Sequence, residues 1–333
     1  MAQAFIELGL FAGKSLILVF FIIIVLIAFF ILLAKSKGKQ RGKLTIKNLN
    51  HHYEETKQTL LLEILNKKQF KQFLKETKAH EKEKHKSELI SKNIYVLNFH
   101  GDIKASAVTA LSEEITAILN VAKPEDEVVL RLESPGGVVH GYGLAAAQLL
   151  RLRDKNIALT IAIDKVAASG GYMMAAVANR IIAAPFAIIG SIGVILQLPN
   201  FNRLLKDNHI DFEQHTAGNF KRTVTIFGEN TEEGRAKLQE ELEKIHQQFK
   251  DLILKYRPQL NIEEVATGEH WLGESALKLN LVDHIQTSDD YLLSNSHHAK
   301  LFEITYEVKK PLLARLTGNA ASFRDSLLYR FAR

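Results

Sequence analysis

The order of apolar and polar positions begins with an unbroken apolar run from Ser15 to Ala34, which contains no charge, proline or glycine. A helix of about 20 residues rises about 30 Å, the thickness of the hydrocarbon core of a bilayer. A cleaved signal peptide has a shorter apolar region and a basic segment before it, whereas Lys14 is the only basic residue before this run. The pattern therefore predicts a retained transmembrane helix, and residues 1–35 are assigned as an N-terminal anchor.

Residues 36–92 are polar and predominantly basic. From Lys35 to Lys92 there are 16 Lys and Arg residues against 7 Asp and Glu residues. A basic block beside an apolar span favours a membrane surface as the partner, and no nucleic-acid partner is expected. The positive-inside rule places this flank in the cytoplasm. The apolar positions Leu61, Leu65, Phe70 and Phe73 predict an amphipathic helix, so this segment is interpreted as a basic helical stalk.

Strands and helices alternate from residue 93 to residue 290, which predicts an α/β domain with a parallel sheet. The predicted strands are Ile94–Phe99, Glu127–Leu132, Ala158–Ile163 and Arg180–Ala183. The predicted helices between them are 107–121, 142–152 and 169–177.

Two further apolar stretches belong to this domain. Ile181–Leu198 is long enough to suggest a second span, but Pro185 and several glycines interrupt it, so a buried core segment is predicted. Glu232–Tyr256 repeats apolar residues at spacings of three and four, which predicts a long helix capped by Asn230. Its apolar face must pack on the core or on another subunit. Residues 291–333 are assigned as a C-terminal extension with one strand, Leu301–Val308, and no function.

The candidate nucleophile is Ser169, within Val-Ala-Ala-Ser169-Gly-Gly-Tyr between a predicted strand and a predicted helix. Small neighbours would let a substrate backbone approach the Ser169 Oγ. An ordinary capping serine is the alternative interpretation. A second motif, Glu133-Ser-Pro-Gly-Gly137, ends another strand and has the composition of an oxyanion hole, with the backbone N–H groups of Gly136 and Gly170 as donors. The alternative there is a simple Pro-Gly turn.

A serine nucleophile needs a base to remove its proton. The chain has no cysteine, which excludes a thiol nucleophile and thiolate metal sites. Lys165 would lie about 13 Å from Ser169 if the chain between them is extended. Histidines at positions 100, 140, 209, 215 and 270 stand in no sequence context that suggests catalysis. Lys221 lies in a small, polar turn after the core strands and remains a candidate, although most lysines are solvated surface groups.

The stretches VVLRLESPGGVVHGYG, DKVAASGGYMMA, APFAIIGSIGV, TAGNFKRT and FGENTEEGR resemble the signal peptide peptidase A family, and most closely its short SohB-like branch. The similarity runs from about Ile94 to Asp290. It implies a crotonase-like (ClpP-like) α/β spiral, an oligomeric assembly, and Ser169 as nucleophile with Lys221 as general base. Asn280 stands where the family often has glycine.

The resemblance implies a membrane-anchored serine endopeptidase that uses a Ser/Lys dyad and no cofactor or metal. Its expected substrates are membrane-derived or unfolded peptides, such as remnant signal peptides. The rival interpretations are a crotonase-type acyl-CoA enzyme and a non-enzymatic membrane scaffold. A single-pass protein of the bacterial inner membrane is expected. The resemblance suggests a periplasmic catalytic domain, whereas the basic flank suggests a cytoplasmic one.

Overall fold

The computed structural model describes residues 2–36, 42–86, 92–218 and 220–307, which fall into two units. The N-terminal unit contains helix α1 (Ala2–Ser36). Within α1, Gly13–Phe30 is long and apolar enough to cross a membrane, and it is the one such helix among the described residues. The run is helical as predicted, and its place in a membrane stays a prediction. The basic residues 37–41 and residues 308–333 of the predicted C-terminal extension lie outside the described part of the chain.

The second unit, Leu44–Tyr306, is built on a seven-stranded sheet with a smaller three-stranded sheet beside it. The strands are β1 (Lys43–Asn48), β2 (Lys92–His100), β3 (Glu127–Glu133), β4 (Ala158–Ile163), β5 (Val166–Ala168), β6 (Arg180–Ala183), β7 (Ile188–Gly190), β8 (His270–Leu272), β9 (His284–Ile285) and β10 (Ala299–Glu307). The helices are α2 (Leu49–Ile64), α3 (Lys67–Lys86), α4 (Val108–Leu119), α5 (Val139–Arg153), α6 (Gly170–Ala176), α7 (Asn202–Asp207), α8 (Glu232–Tyr256), α9 (Ile262–Val265), α10 (Gly273–Lys278) and α11 (Ser288–Asn295).

The large sheet has the order β1-β10-β2-β3-β4-β6-β9. The strand pairs from β10 to β9 are parallel, and Val96 of β2 stands opposite Val129 of β3. Both faces of the central strands are buried, as expected for a parallel sheet covered on two sides. Alternate residues therefore enter two cores: Leu97, Leu130 and Ile161 in the larger one, Val96 and Val129 in the smaller one. The four strands predicted from the sequence are confirmed.

The small sheet was not predicted, and it carries the candidate site. Its order is β5-β7-β8, with β5 and β7 parallel and β7 and β8 antiparallel. Each strand has only three residues, too few for an alternating pattern to be recognised. Ser134, at the end of β3, joins Ala167 of β5 by an isolated parallel bridge, which connects the two sheets.

Three sequence predictions require correction. The large sheet includes β1 and β10, so the compact unit extends beyond the predicted limits of 93 and 290 on both sides. The predicted stalk holds two helices rather than one, because the chain turns at Leu65 and Asn66. The N-cap of α8 is Thr231, whose side chain accepts a hydrogen bond from the Gly234 N–H at 3.1 Å, and not Asn230.

The apolar stretch from Ile181 to Leu198 contributes core residues only up to Ile192, and Phe186 within that part is exposed. Ile181, Ile189 and Ile192 are fully buried, so the predicted core segment is confirmed at these positions. Ile195 is 76% exposed. The exposed end of this stretch lies beside the candidate site.

One buried carboxyl group gives the fold a pH dependence. Glu114, on α4, is 4% exposed, and its Oε1 accepts a hydrogen bond from the backbone N–H of Tyr306 at 2.7 Å. Burial raises the pKa of Glu114 to about 7 from an ordinary value of 4.5. The folded chain thus keeps a proton that the unfolded chain releases between these two pH values. Stability should fall as pH rises through that window, by about 3 kcal/mol in all, and stay low above it.

We expect Glu114→Gln to raise the free energy of unfolding at pH 8 by up to about 3 kcal/mol, since glutamine keeps an oxygen acceptor for Tyr306 without the buried charge. At pH 4 the glutamate is neutral in both states, and the substitution should change little. Denaturant unfolding of the full chain in detergent at the two pH values measures the difference. An equal gain at both would show that burial of the charge is not the cause.

Candidate active site

Ser169 occupies a strained turn between β5 and α6. Its backbone angles are φ 50° and ψ −118°, a region that residues with a Cβ rarely adopt and that costs about 1–3 kcal/mol. Two hydrogen bonds hold the turn: the Ser169 N–H donates to the Gly190 carbonyl at 2.8 Å, and its carbonyl accepts from the Met173 N–H at 2.9 Å. Such a strand-to-helix turn presents the serine side chain rather than burying it, and Ser169 is half-buried at the edge of a cavity.

Gly136 lies directly against this turn. Its φ of +91° suits glycine, and a Cβ built on it would lie 2.8 Å from both the Ser169 Cβ and the Ala168 carbonyl oxygen. The structure therefore brings three of the predicted site residues together: Ser169, Gly170 and Gly136.

The Gly136 N–H is not free in this structure, because it donates to the Ser134 Oγ at 3.1 Å. The Tyr142 hydroxyl donates to the Asp102 carbonyl at 2.8 Å, so the Ser134 hydroxyl must donate to the Tyr142 oxygen, 2.6 Å away. Ser134 and Tyr142 are both fully buried. Ser134 is thus part of an internal hydrogen-bond chain that fixes the Gly136 turn.

Tyr142 also supports the second predicted donor. A Cβ built on Gly170 would lie 2.4 Å from the Cγ of Tyr142, so the tyrosine ring packs directly against the Gly170 backbone. One side chain therefore contacts the turn that follows Ser169 and, through Ser134, the turn that carries Gly136. The sequence indicated Gly136 and Gly170 but gave no reason to single out Tyr142.

The structure places Lys221 on the surface of this chain. It lies between α7 and α8, its backbone N–H donates to the Gly218 carbonyl at 3.2 Å, and its side chain is exposed. It is not among the residues that line the cavity beside Ser169. The neighbouring Phe220 is 48% exposed, with the Lys237 Nζ 5.1 Å from its ring centre.

None of the other candidate bases lines the cavity. The Lys165 Nζ lies 3.0 Å from Glu133 Oε2. The five histidines considered from the sequence are all exposed, and none lines the cavity. A histidine that the sequence did not single out, His246 on α8, has a buried Nε2 without a hydrogen-bond partner among the described residues.

A cavity of about 70 Å³ opens beside Ser169 and has mainly apolar walls. Its lining residues are Gly137, Val139, Ser169, Gly170, Met173, Gly193, Val194, Ile195, Ile245 and Phe249. Helix α8 supplies Ile245 and Phe249, which gives its predicted apolar face a place in the site. Met173 of α6 lines the cavity, whereas its neighbours Tyr172 and Met174 are fully buried core residues.

A half-buried serine in a strained turn, beside backbone N–H groups and an apolar cavity on an α/β domain, is the arrangement of a hydrolytic enzyme. The chain belongs to peptidase family S49: the family model described as "Peptidase family S49 N-terminal" matches residues 3–149, and "Peptidase family S49" matches residues 151–301. It is a protease, and its fold is the crotonase-like (ClpP-like) α/β fold.

Curated relatives are also named as proteases. "Probable protease SohB" of Haemophilus influenzae is 56% identical over 239 residues, which cover 72% of this chain and 68% of that protein. "Probable protease SohB" of Buchnera aphidicola subsp. Schlechtendalia chinensis is 50% identical over 297 residues, covering 86% of this chain and 95% of that protein. A solved structure of the 1510-N membrane-bound stomatin-specific protease with a substrate peptide is also similar, at 14% identity and a TM-score of 0.44, covering 70% of this chain and 100% of that one.

Proposed function

We propose that this protease is a serine endopeptidase in which Ser169 is the nucleophile and Lys221 the general base. The observation that carries the proposal is the turn at Ser169, which holds a serine in a strained conformation at the mouth of an apolar cavity. No hydrogen bond to the Ser169 Oγ competes for its proton among the described residues. Lys221 is supported by the family resemblance of the residues around it.

The proposed reaction proceeds in two halves. The neutral amine of Lys221 takes the Ser169 proton while the Oγ attacks the peptide carbonyl, and the same amine then protonates the leaving nitrogen. Water hydrolyses the acyl-enzyme in the second half. The Gly170 and Gly136 N–H groups are the proposed donors to the oxyanion, so the Gly136 N–H must then be shared with, or released by, the Ser134 Oγ.

Because Lys221 is exposed and outside the cavity, we propose that the site is completed when copies of the chain assemble. Large apolar side chains are exposed near the small sheet: Phe186 is 81% exposed and Ile195 is 76% exposed. Burial of such side chains between subunits would stabilise an oligomer and exclude water around the lysine.

Sedimentation of the full chain in detergent should show a species heavier than the monomer, and a fully active monomer would refute assembly.

Covalent labelling separates this proposal from its rivals. A fluorophosphonate should inactivate the enzyme and leave one phosphonyl group per chain on Ser169, located by peptide mapping. A crotonase-type acyl-CoA enzyme or a scaffold would not react. Labelling of another serine with loss of activity would move the nucleophile elsewhere.

The apolar cavity favours substrates with an apolar side chain at the cleaved bond. Membrane-derived peptides, such as remnant signal peptides, have such side chains. We expect Ile245→Ala to enlarge the cavity and shift the preference from small to larger apolar side chains, by about 10-fold in the ratio of kcat/KM values. Gln248→Ala, on an exposed position of the same helix, is the control. An unchanged ratio in the Ile245 variant would mean that this cavity does not select the substrate.

The hydroxyl of Tyr142 should matter for the rate although it cannot touch substrate. We expect Tyr142→Phe to lower kcat by about 10-fold with KM nearly unchanged, because the ring still supports Gly170 while the Ser134 hydroxyl loses its acceptor. Tyr291→Phe, which removes a hydroxyl bonded to Glu127 at 2.7 Å, is a matched control that should cost stability without lowering kcat. Equal kcat losses in the two variants would indicate general destabilisation instead.

We further propose a single-pass protein of the bacterial inner membrane, anchored by α1. The basic flank after α1 and the family resemblance favour opposite sides for the catalytic unit. Because the chain has no cysteine, the side of the membrane can be determined with one cysteine introduced into the catalytic unit. Its reaction with a membrane-impermeant maleimide is measured in intact cells. Modification places the unit in the periplasm, and protection until the cells are broken places it in the cytoplasm.

A further inference from the structure

Helices α2 and α3 form a hairpin with one end fixed to the protease unit. At that end Leu49 is buried in the smaller core, and Tyr53 packs against it. The Asn50 side chain donates to the carbonyls of Ser296 and Ala299, both at 2.9 Å, and accepts from the Leu301 N–H at 2.7 Å. These contacts give the start of α2 a defined position beside β10.

The other end of the hairpin, which we call the tip (residues 60–71), combines exposed aliphatic and basic side chains. Leu60, Leu62 and Ile64, in the last five residues of α2, are 62%, 57% and 65% exposed. The side chains of Lys67, Lys68 and Lys71 are exposed at the start of α3, and Glu63 is the only acidic residue of the tip. Single exposed aliphatic side chains are ordinary, but three within five residues beside lysines are not explained by the packing within the protease unit.

The exposed aliphatic side chains are not the contact between the two helices. The half-buried apolar residues from position 60 onward are a different set, namely Leu61, Leu65, Phe70, Phe73 and Leu74. Lys57 of α2 also lies over the ring of Phe73, 5.2 Å from its centre. The tip therefore exposes apolar side chains outside the contact that holds α2 and α3 together. Leu60 and Ile64 lie one turn apart on one side of α2, and Leu62 lies about 200° around the helix from Leu60.

We propose that the tip docks on an anionic lipid surface, with its aliphatic side chains at the boundary of headgroups and acyl chains and its lysines on lipid phosphates. Apolar side chains flanked by lysines are the composition of interfacial membrane helices, and basic residues near a bilayer are attracted to anionic lipids. A second copy of the tip is a poorer partner, because its lysines would repel those of the first. The proposal rests on the proposed anchoring by α1, and it would fix the protease unit against the bilayer.

The chain lacks cysteine, so a single environment-sensitive NBD dye can be placed at Leu62→Cys, with Thr56→Cys on the same helix as the control. The full-length protein is reconstituted into vesicles of phosphatidylcholine, with or without phosphatidylglycerol. We expect blue-shifted emission at position 62, quenched by nitroxide-labelled lipid, in the anionic vesicles only, and no quenching at position 56. Raising the salt from about 0.05 to about 0.5 M should reduce the effect. The variant Lys67→Gln/Lys68→Gln/Lys71→Gln should lose it.

Equal quenching at positions 62 and 56, or quenching that ignores the lipid charge, would overturn docking of the tip. A blue shift that depends on protein concentration and resists nitroxide lipid would identify a second copy as the occupant and would also overturn it. Flotation with the vesicles is measured separately. Protein that fails to float would refute the anchor itself, together with this proposal, whereas floating protein with a solvated tip would refute the tip alone.

Discussion

Replacing Ser169 by alanine is expected to abolish peptide hydrolysis, with a loss in kcat on the order of 10⁴ to 10⁶. The proposed reaction has no other group that could form the acyl-enzyme. Alanine keeps the Cβ that Gly136 accommodates, and the turn's two hydrogen bonds come from the backbone, so the fold should be retained. Steady-state peptide hydrolysis and thermal unfolding of the same preparation measure both quantities.

Ser134→Ala is the matched control for this substitution. Ser134 is a buried serine whose hydroxyl bonds to Gly136 and Tyr142, so its removal should lower stability and reduce the rate without abolishing it. If Ser169→Ala kept wild-type turnover, Ser169 would be only a residue of a tight turn. If Ser134→Ala alone were inactive, the nucleophile would have to be reassigned.

The second large effect is expected at Lys221. Both Lys221→Ala and Lys221→Arg should lower kcat/KM by about 10²- to 10⁴-fold. Alanine has no basic group, and arginine has a similar length but cannot lose its proton in this pH range. Lys165→Arg is the control, since Lys165 is closer to Ser169 in sequence but is paired with Glu133. An active Lys221→Arg enzyme would remove Lys221 as the base. The next candidates for the base would be histidines, among them His246, whose Nε2 atom is buried.

Much of the fold could be predicted because the central strands are buried on both faces and form short, continuous apolar runs. The four predicted strands and the long helix Glu232–Tyr256 follow directly from such patterns. Strand β1 could not be predicted, because its sequence KLTIKN is short and mostly exposed. The place of β10 beside β2 depends on contacts between residues about 200 positions apart, which local periodicity does not report.

The candidate site, like the fold, could be predicted from the sequence only in part. The small residues around Ser169 and the glycine at 136 are local requirements of two turns that touch, so the sequence could indicate them. The positive φ of Ser169 could not be predicted, since it is imposed by Gly190 and the start of α6. Tyr142 and Ile245 come from helices distant in sequence. Lys221 was a weak candidate from its local sequence and was singled out by resemblance to a family. Its exposed position in this chain agrees with a site that is completed only on assembly.

The most direct test of the Ser169/Lys221 dyad is kcat/KM measured against pH for the wild type and Lys221→Arg. A free lysine titrates near 10.4, so a lysine base at the site must be held neutral by burial or nearby positive charge. The proposal predicts that wild-type activity rises with pH through a single apparent pKa well below 10, and that Lys221→Arg is inactive at every pH. A wild-type profile centred near 6.5 that Lys221→Arg reproduces at a similar rate would contradict the dyad and indicate a histidine base.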